Sequence, residues 1–383
     1  MTDQGNTADS ASNKEPTVRN AVLHIGTEKT GSTSIQNFFY RNRGALISEG
    51  VLFPKHCGFV SHHKLVISCQ NEPDKNLAQI SSLDCEPAAF QQWLQAFKQT
   101  HSDEVTEFQK KSGNQSTVVY SSEHFQSRVK DVDEIARLYD FLSSLYDTIS
   151  VVVYLRRQDR LAISAHNTQI QGGLTRHFDF SKVNPAGNYF NYLKLVSNWA
   201  SVFGKQNITV RIFEKDRMEN GNVVDDFINI VNINPDFPKK IVPSIENSHL
   251  SFTSLELLIQ FNEQYNNEQT INEFPASRFR QWLIKRLHKV NDDHGKILPS
   301  RESAQAFYEK CKILNQEMFD TYLPGEQFDE SFDEYPASDT DRPPQPSPDI
   351  LANLIEEITR KKQANVVKMA GDVWTSVKQK YGT

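Results

Sequence analysis

A chain of 383 residues is long enough for one large α/β domain with additions, or for two or three smaller units. Its net charge of −6 argues against a dedicated nucleic-acid binder, which normally carries a basic surface. No apolar run approaches the roughly 18 residues of a membrane-spanning helix, and Cys57, Cys69, Cys85 and Cys311 show no CxxC spacing, so they read as reduced thiols and not as a disulfide frame or zinc site.

Residues 1–17 are polar and lack the charged-then-apolar pattern of an export signal, so they are expected to be disordered and the setting cytoplasmic. Ala21-Val22-Leu23-His24-Ile25 is short, mostly apolar and bounded by glycine, which predicts a buried parallel strand. The loop Gly26-Thr27-Glu28-Lys29-Thr30-Gly31-Ser32-Thr33 follows. A Walker A loop reads GxxxxGK[ST], with its lysine directly after the second glycine. Here Gly26 and Gly31 keep that spacing and Thr33 takes the hydroxyl place, but Ser32 fills the lysine slot and Lys29 stands three positions earlier. Ser32-Thr33-Ser34 offers N-cap hydroxyls, and Ile35, Phe38 and Phe39 then recur at helical spacing. Strand, glycine loop and helix point free backbone N–H groups and a positive dipole end at an anion.

Three further strands are predicted at Ser116–Tyr120, Ser150–Leu155 and Ile208–Phe213. Helical patterns lie between them at Pro87–Lys111, Val132–Tyr146, Arg160–Gln171 and Asn188–Phe203. This alternation predicts an α/β fold: a parallel sheet covered on both faces, with ligands beyond the carboxyl ends of the strands. Chemistry is therefore expected just after Ile25, Tyr120 and Leu155. From Ser251 the pattern turns helical, at Phe252–Tyr265, Ser277–Asn291 and Ser303–Tyr322. A proline-rich linker at 336–348 and a C-terminal helix from about Ile350 follow.

After Tyr120 comes Ser121-Ser122-Glu123-His124-Phe125, and after Leu155 comes Arg156-Arg157-Gln158-Asp159-Arg160. A P-loop kinase places a magnesium-binding acid at such a strand end. Arginine there, with a hydroxyl two helical turns on at Ser164, suits a phosphate monoester held by a bidentate donor.

With these two phosphate sites the chain resembles sulfotransferases that use 3′-phosphoadenosine 5′-phosphosulfate (PAPS), and most closely the bacterial carbohydrate-type members. The resemblance covers roughly Val18–Tyr335, with strong motifs at the two phosphate sites only. It implies that Lys29, Thr30, Gly31, Ser32, Thr33 and Ser34 form the 5′-phosphosulfate loop and that Arg156 and Ser164 grip the 3′-phosphate. The family's common proline two residues after the arginine is replaced by Gln158. Asn247-Ser248 is the single candidate for an adenine contact. The catalytic base is expected to be Glu123, with His124 as the alternative. Arg157 and Arg160 read as a solvated basic helix start, and His62-His63 as loop residues, not metal ligands.

The expected reaction moves a sulfuryl group from PAPS, as co-substrate, to a hydroxyl-bearing acceptor, a carbohydrate or glycolipid first, without a metal. A P-loop kinase or NTPase, and a non-catalytic binding protein on the same fold, are the rival readings. Lys55–Ala88 and Gln171–Pro185, with Phe59, His62, His63, Arg176, His177 and Phe178, are expected to wall the acceptor cleft. Oligomeric state and the role of the C-terminal helix are not legible in the sequence.

Overall fold

The computed structural model describes residues 18–112, 115–234, 237, 250–267, 270–271, 274–288, 298–338, 349–353, 355–357 and 359–360. Its strands are β1 (Val18–His24), β2 (Val51–Leu52), β3 (Gln115–Ser121), β4 (Thr148–Leu155), β5 (Ile208–Ile212) and the short β6 (Thr270–Ile271) and β7 (Phe274–Pro275). The first helices are α1 (Ser32–Leu46), α2 (His63–Cys69), α3 (Lys75–Ile80), α4 (Pro87–Ser112), α5 (His124–Arg128) and α6 (Val132–Ser143). After them come α7 (Gln158–Gln171), α8 (Tyr192–Phe203), α9 (Val223–Val231), α10 (Phe252–Tyr265), α11 (Ala276–Leu287) and α12 (Arg301–Tyr322). None of the described helices is long and apolar enough to cross a membrane.

The chain divides into two compact units. The first runs up to Arg156 and adds Ala186–Ser244 and Cys311–Phe328; the second takes Arg157–Pro185, Ile245–Lys310 and the residues from Asp329 on.

In the first unit five parallel strands lie in the order β2-β3-β1-β4-β5. Central β1 pairs on both sides, with Leu23 opposite Tyr120 on β3 and Val151 on β4. A strand covered on both faces must be apolar at every position, and Val151 to Leu155 are all fully buried. Val22, Val119, Val152 and Tyr154 pack under Ile35, Phe38 and Phe39 of α1 and Phe227 and Ile228 of α9. Helices α4, α6 and α8 cover the other face, against β3, β4 and β5. The result is a three-layer α/β architecture.

Several buried polar groups inside this unit are paired with one another. Asp226 accepts from Tyr154 Oη at 2.7 Å and from the Arg211 guanidinium. His101 Nε2 meets Tyr120 Oη at 2.6 Å, and Tyr120 Oη meets Tyr146 Oη at 2.5 Å. His62 Nδ1 accepts from the Ser121 N–H at 3.1 Å, so its Nε2–H donates to the Pro54 carbonyl at 3.0 Å. Burial lowers the pKa of His24 to about 3, of His101 to about 4, and of His62 well below its ordinary value.

These histidines are expected to make the fold less stable in acid. The unfolded chain takes up their protons below about pH 6.5, whereas the folded chain refuses them until about pH 4 or lower. Stability therefore rises with pH through that window, by up to about 1.4 kcal/mol per pH unit for each histidine. Urea unfolding is expected to show a clearly lower midpoint at pH 5 than at pH 7. Equal midpoints would contradict the neutral, buried state of these rings.

In the second unit α7, α10 and α11 share a core of Ile170, Leu255, Leu258, Phe261, Phe279 and Leu283, joined by Leu351 and Ile355 from the helical residues after 348. Asn262 Nδ2 donates to the carbonyls of Ile170 at 2.8 Å and Leu174 at 3.0 Å, which fastens the end of α7 to α10. Residues 1–17, most of the expected linker and the helix beyond 360 lie outside the described residues.

Candidate functional site

The β1–α1 connection is built from residues that accept a left-handed backbone. Gly26 has φ +103°, Lys29 +62° and Gly31 +76°. Both glycines also lack room for a side chain: a Cβ on Gly26 would lie 3.1 Å from Glu123 Cα, and one on Gly31 2.7 Å from Val223 Cγ1. Lys29 has no such excuse. A left-handed non-glycine costs on the order of 1–3 kcal/mol and is characteristic of ligand loops.

The loop is anchored from below. The N–H and Oγ1 of Thr27 both donate to the Tyr154 carbonyl, at 2.9 and 3.0 Å, and Thr30 Oγ1 donates to the Thr27 carbonyl at 2.7 Å. Helix α1 then opens on Gly31, not on a hydroxyl. Ser32, Thr33 and Ser34 lie inside its first turn, no side chain caps the helix, and that turn carries no acid. The capping expectation from the sequence is thus corrected: the left-handed Gly31 takes the N-cap position, and no side chain caps the positive end of the helix.

Lys29 lies among charges. Burial lowers the pKa of its ammonium, Glu28 raises it, Arg156 lowers it and Glu123 raises it again. Arg156, at the end of β4, donates from Nη1 to the Lys29 carbonyl at 3.1 Å, with its guanidinium 6.0 Å from the Phe213 ring centre.

The end of β3 delivers the third element. Glu123 is the residue before α5, and its Oε2 accepts from Gln36 Nε2 of α1 at 2.6 Å. His124 is the first residue of α5 and turns elsewhere. Its N–H donates to Ser122 Oγ at 3.3 Å, it lies near His63, whose pKa is lowered first by burial and least by His124, and its buried Nδ1 has no hydrogen-bond partner among the described residues. One helical residue step thus sends Glu123 toward the loop lysine and His124 toward His63.

Other expected site residues fall as follows. Ser164 is buried on α7, in the second unit, whereas Arg156 closes the first. Arg157 is not a solvated helix start, and this reading is corrected: it is fully buried. Its Nε and Nη2 hold Asp159 at 2.8 and 2.9 Å, its Nη1 donates to the carbonyls of Asp329 and Ser331, both at 2.5 Å, and Phe332 stacks on it at 4.0 Å. Arg160 is likewise paired, with Glu334 at 2.6 Å and Asp329 at 3.0 Å. Asp159 is consumed by Arg157 and by Tyr335 Oη at 2.5 Å. Asn247 and Ser248 lie outside the described residues.

Of the expected cleft walls, His62 is a core residue, whereas Phe59 is 77% exposed. His177 pairs with buried Glu256 at 3.2 Å, the Arg176 carbonyl accepts from His166 Nε2 at 3.0 Å, and Phe178 meets Phe180 edge-on at 4.6 Å. Phe178 is thus packed within the second unit, whereas Arg176 and His177 are exposed.

No family model matches the chain. An uncharacterized protein of Archaeoglobus fulgidus is 28% identical over 210 residues, which are 54% of this chain and 54% of that protein. The chain therefore spans about half the length of the curated relative it matches. Among solved structures it is similar to a sulfotransferase from Alicyclobacillus acidocaldarius, at 13% identity and a TM-score of 0.35 over 63% of this chain and 91% of that one. It is also similar to the sulfotransferase domain from the curacin biosynthetic pathway, at 11% identity and a TM-score of 0.31 over 72% of this chain and all of that one. At these scores neither likeness bears on activity, which has to be argued from the site.

Three residues around the loop escaped the sequence reading. Gln36 sits on a buried helix face between Ile35 and Phe38, and a polar residue at a core position was its only signal. Gln126 and Tyr189 both reach Glu28, from α5 and from the turn before α8. Nothing in their local pattern marks them, because their partners lie 98 and 161 residues away.

Proposed function

We propose that the chain is a sulfotransferase that moves a sulfuryl group from PAPS to a hydroxyl acceptor, with a carbohydrate or glycolipid as the leading acceptor class. The observation that carries this reading is the meeting of two groups at one loop. Lys29 stands before the second glycine, and the Glu123 carboxylate, held by Gln36 from the helix that the loop opens, acts on it electrostatically.

The residues present fit such a donor. The left-handed turns at Gly26, Lys29 and Gly31 and the uncapped start of α1 suit an anion cradle, and a side chain on Gly31 would clash with Val223. The backbone N–H groups of residues 30–33 would hold the 5′-phosphate, with Thr30, Ser32, Thr33 and Ser34 around it, and Arg156 at the end of β4 would take the 3′-phosphate. PAPS, when bound, supplies a sulfuryl group on a good leaving phosphate. Lys29 stabilises negative charge on the bridging and sulfuryl oxygens, and Glu123 takes the acceptor's hydroxyl proton as its oxygen attacks sulfur. His124 is the alternative base.

The kinase reading is disfavoured by Asp159. It is the acid nearest the end of β4, but it is fully buried and spent on Arg157 and Tyr335. Lysine, arginine and backbone dipoles carry the electrostatics instead.

A thermal-shift comparison tests the proposal. Stabilisation by 3′-phosphoadenosine 5′-phosphate (PAP) without magnesium is expected, and it scales as RT ln(1 + [L]/Kd). Stabilisation by Mg-ATP alone would favour the kinase. Labelled PAPS with a glycan and lipid panel then identifies the acceptor, and failure to label anything would favour a binding protein. We also propose that the protein works in the cytoplasm.

A further inference from the structure

The acid beside the loop lysine is held in a closed ring of hydrogen bonds. The Glu28 N–H donates to Gln126 Oε1 at 3.0 Å, Gln126 Nε2 donates to the Tyr189 carbonyl at 3.0 Å, and Tyr189 Oη donates to Glu28 Oε2 at 2.8 Å. Three residues later Tyr192 Oη donates to the Arg156 carbonyl at 2.5 Å. The turn before α8 thus grips the donor loop at Glu28, and the first residue of α8 grips the β4 terminus at Arg156. Burial and the Glu28 charge together raise the Tyr189 pKa, so its hydroxyl remains a donor throughout the working range.

An acid directly before an anion-binding lysine is otherwise a liability. A Glu28 carboxylate that reaches the Lys29 ammonium neutralises it and repels an arriving phosphate. A short hydrogen bond from a half-buried tyrosine limits where that carboxylate can go.

We infer that Tyr189 is a positioning residue for the donor loop, whose hydroxyl holds the Glu28 carboxylate in place and so limits how strongly it competes with an anion for Lys29. The inference builds on the reading of this loop as the 5′-phosphosulfate site. It assigns Tyr189 no contact with the donor; the residue acts through Glu28.

The test is calorimetric binding of PAP, and separately of inorganic pyrophosphate, to the full chain, to Tyr189→Phe, to Glu28→Gln and to the double variant. Tyr189→Phe is expected to weaken binding about tenfold, the scale of one hydrogen bond to a charged group. Glu28→Gln is expected to bind at least as tightly as the unaltered protein. The double variant is expected to match Glu28→Gln, because without the carboxylate there is nothing left to restrain. A double variant as weak as Tyr189→Phe would show that Tyr189 only packs, and undiminished binding by Tyr189→Phe alone would also overturn the inference. If the unaltered protein binds pyrophosphate but not PAP, the sulfotransferase reading fails, and the four-protein comparison on pyrophosphate still decides the role of Tyr189. If it binds neither, both fall. Should Tyr189→Phe not fold, Gln126→Leu opens the same ring from another corner and is expected to weaken binding likewise; unchanged binding there counts against the inference.

Discussion

Lys29→Ala lowers kcat by about 10²–10³-fold, the cost of removing one preorganised group that stabilises developing charge. The size of the effect follows from the surroundings of the ammonium. Partial burial has taken away some of its water, which is why its pKa falls despite two nearby carboxylates. A charge in such a place interacts more strongly than one in bulk solvent. The loop itself should survive the substitution, because its anchors are Thr27 on the Tyr154 carbonyl and Thr30 on the Thr27 carbonyl. Alanine must still adopt the left-handed φ of +62°, so the change relieves no strain. PAP binding and the melting temperature are therefore expected to fall far less than turnover. Single-turnover measurements check this, and near-normal turnover in the variant rejects the role given to Lys29.

Glu123→Gln is expected to lose about 10²–10⁴ in kcat, the range for a general base, while PAP binding is kept or slightly improved. The split has a physical cause. The Glu123 charge acts on Lys29 and opposes an incoming anion, so neutralising it cannot weaken donor binding electrostatically. The amide oxygen can still accept from Gln36 Nε2, which preserves the position of the side chain. His124→Ala is expected to change turnover much less, since His124 faces His63. Should the two variants show the reverse pattern, the base is His124.

Fold class was legible because it depends on local pattern. Buried parallel strands read as unbroken apolar runs, and Val151 to Leu155 is one. Helix α10 matches its expected bounds, and α7 begins two residues before its expected start. Strand β2 was missed because two residues carry no periodicity. The left-handed turns of the glycine loop were legible because glycine spacing is a sequence feature.

What surrounds the loop was not legible in this way. Arg156 and Arg157 are neighbours of one type, yet one donates to the Lys29 carbonyl and the other is sealed in a core of carboxylates and Phe332. Only long-range partners, 127 residues away for Arg156 and 172 or more for the carbonyls on Arg157, separate their roles. Glu123 and His124 part in the same manner.

By itself the sequence determined the alternation of strands and helices, the glycine-bounded loop and the lysine displaced within it, since each is written in local spacing and residue type. Tertiary structure alone decided that Gln36 holds Glu123, which arginine is a structural clamp, and that Tyr189 and Gln126 close on Glu28. Those outcomes depend on which side chains the folded sheet brings within hydrogen-bond reach, and separation along the chain carries no record of that.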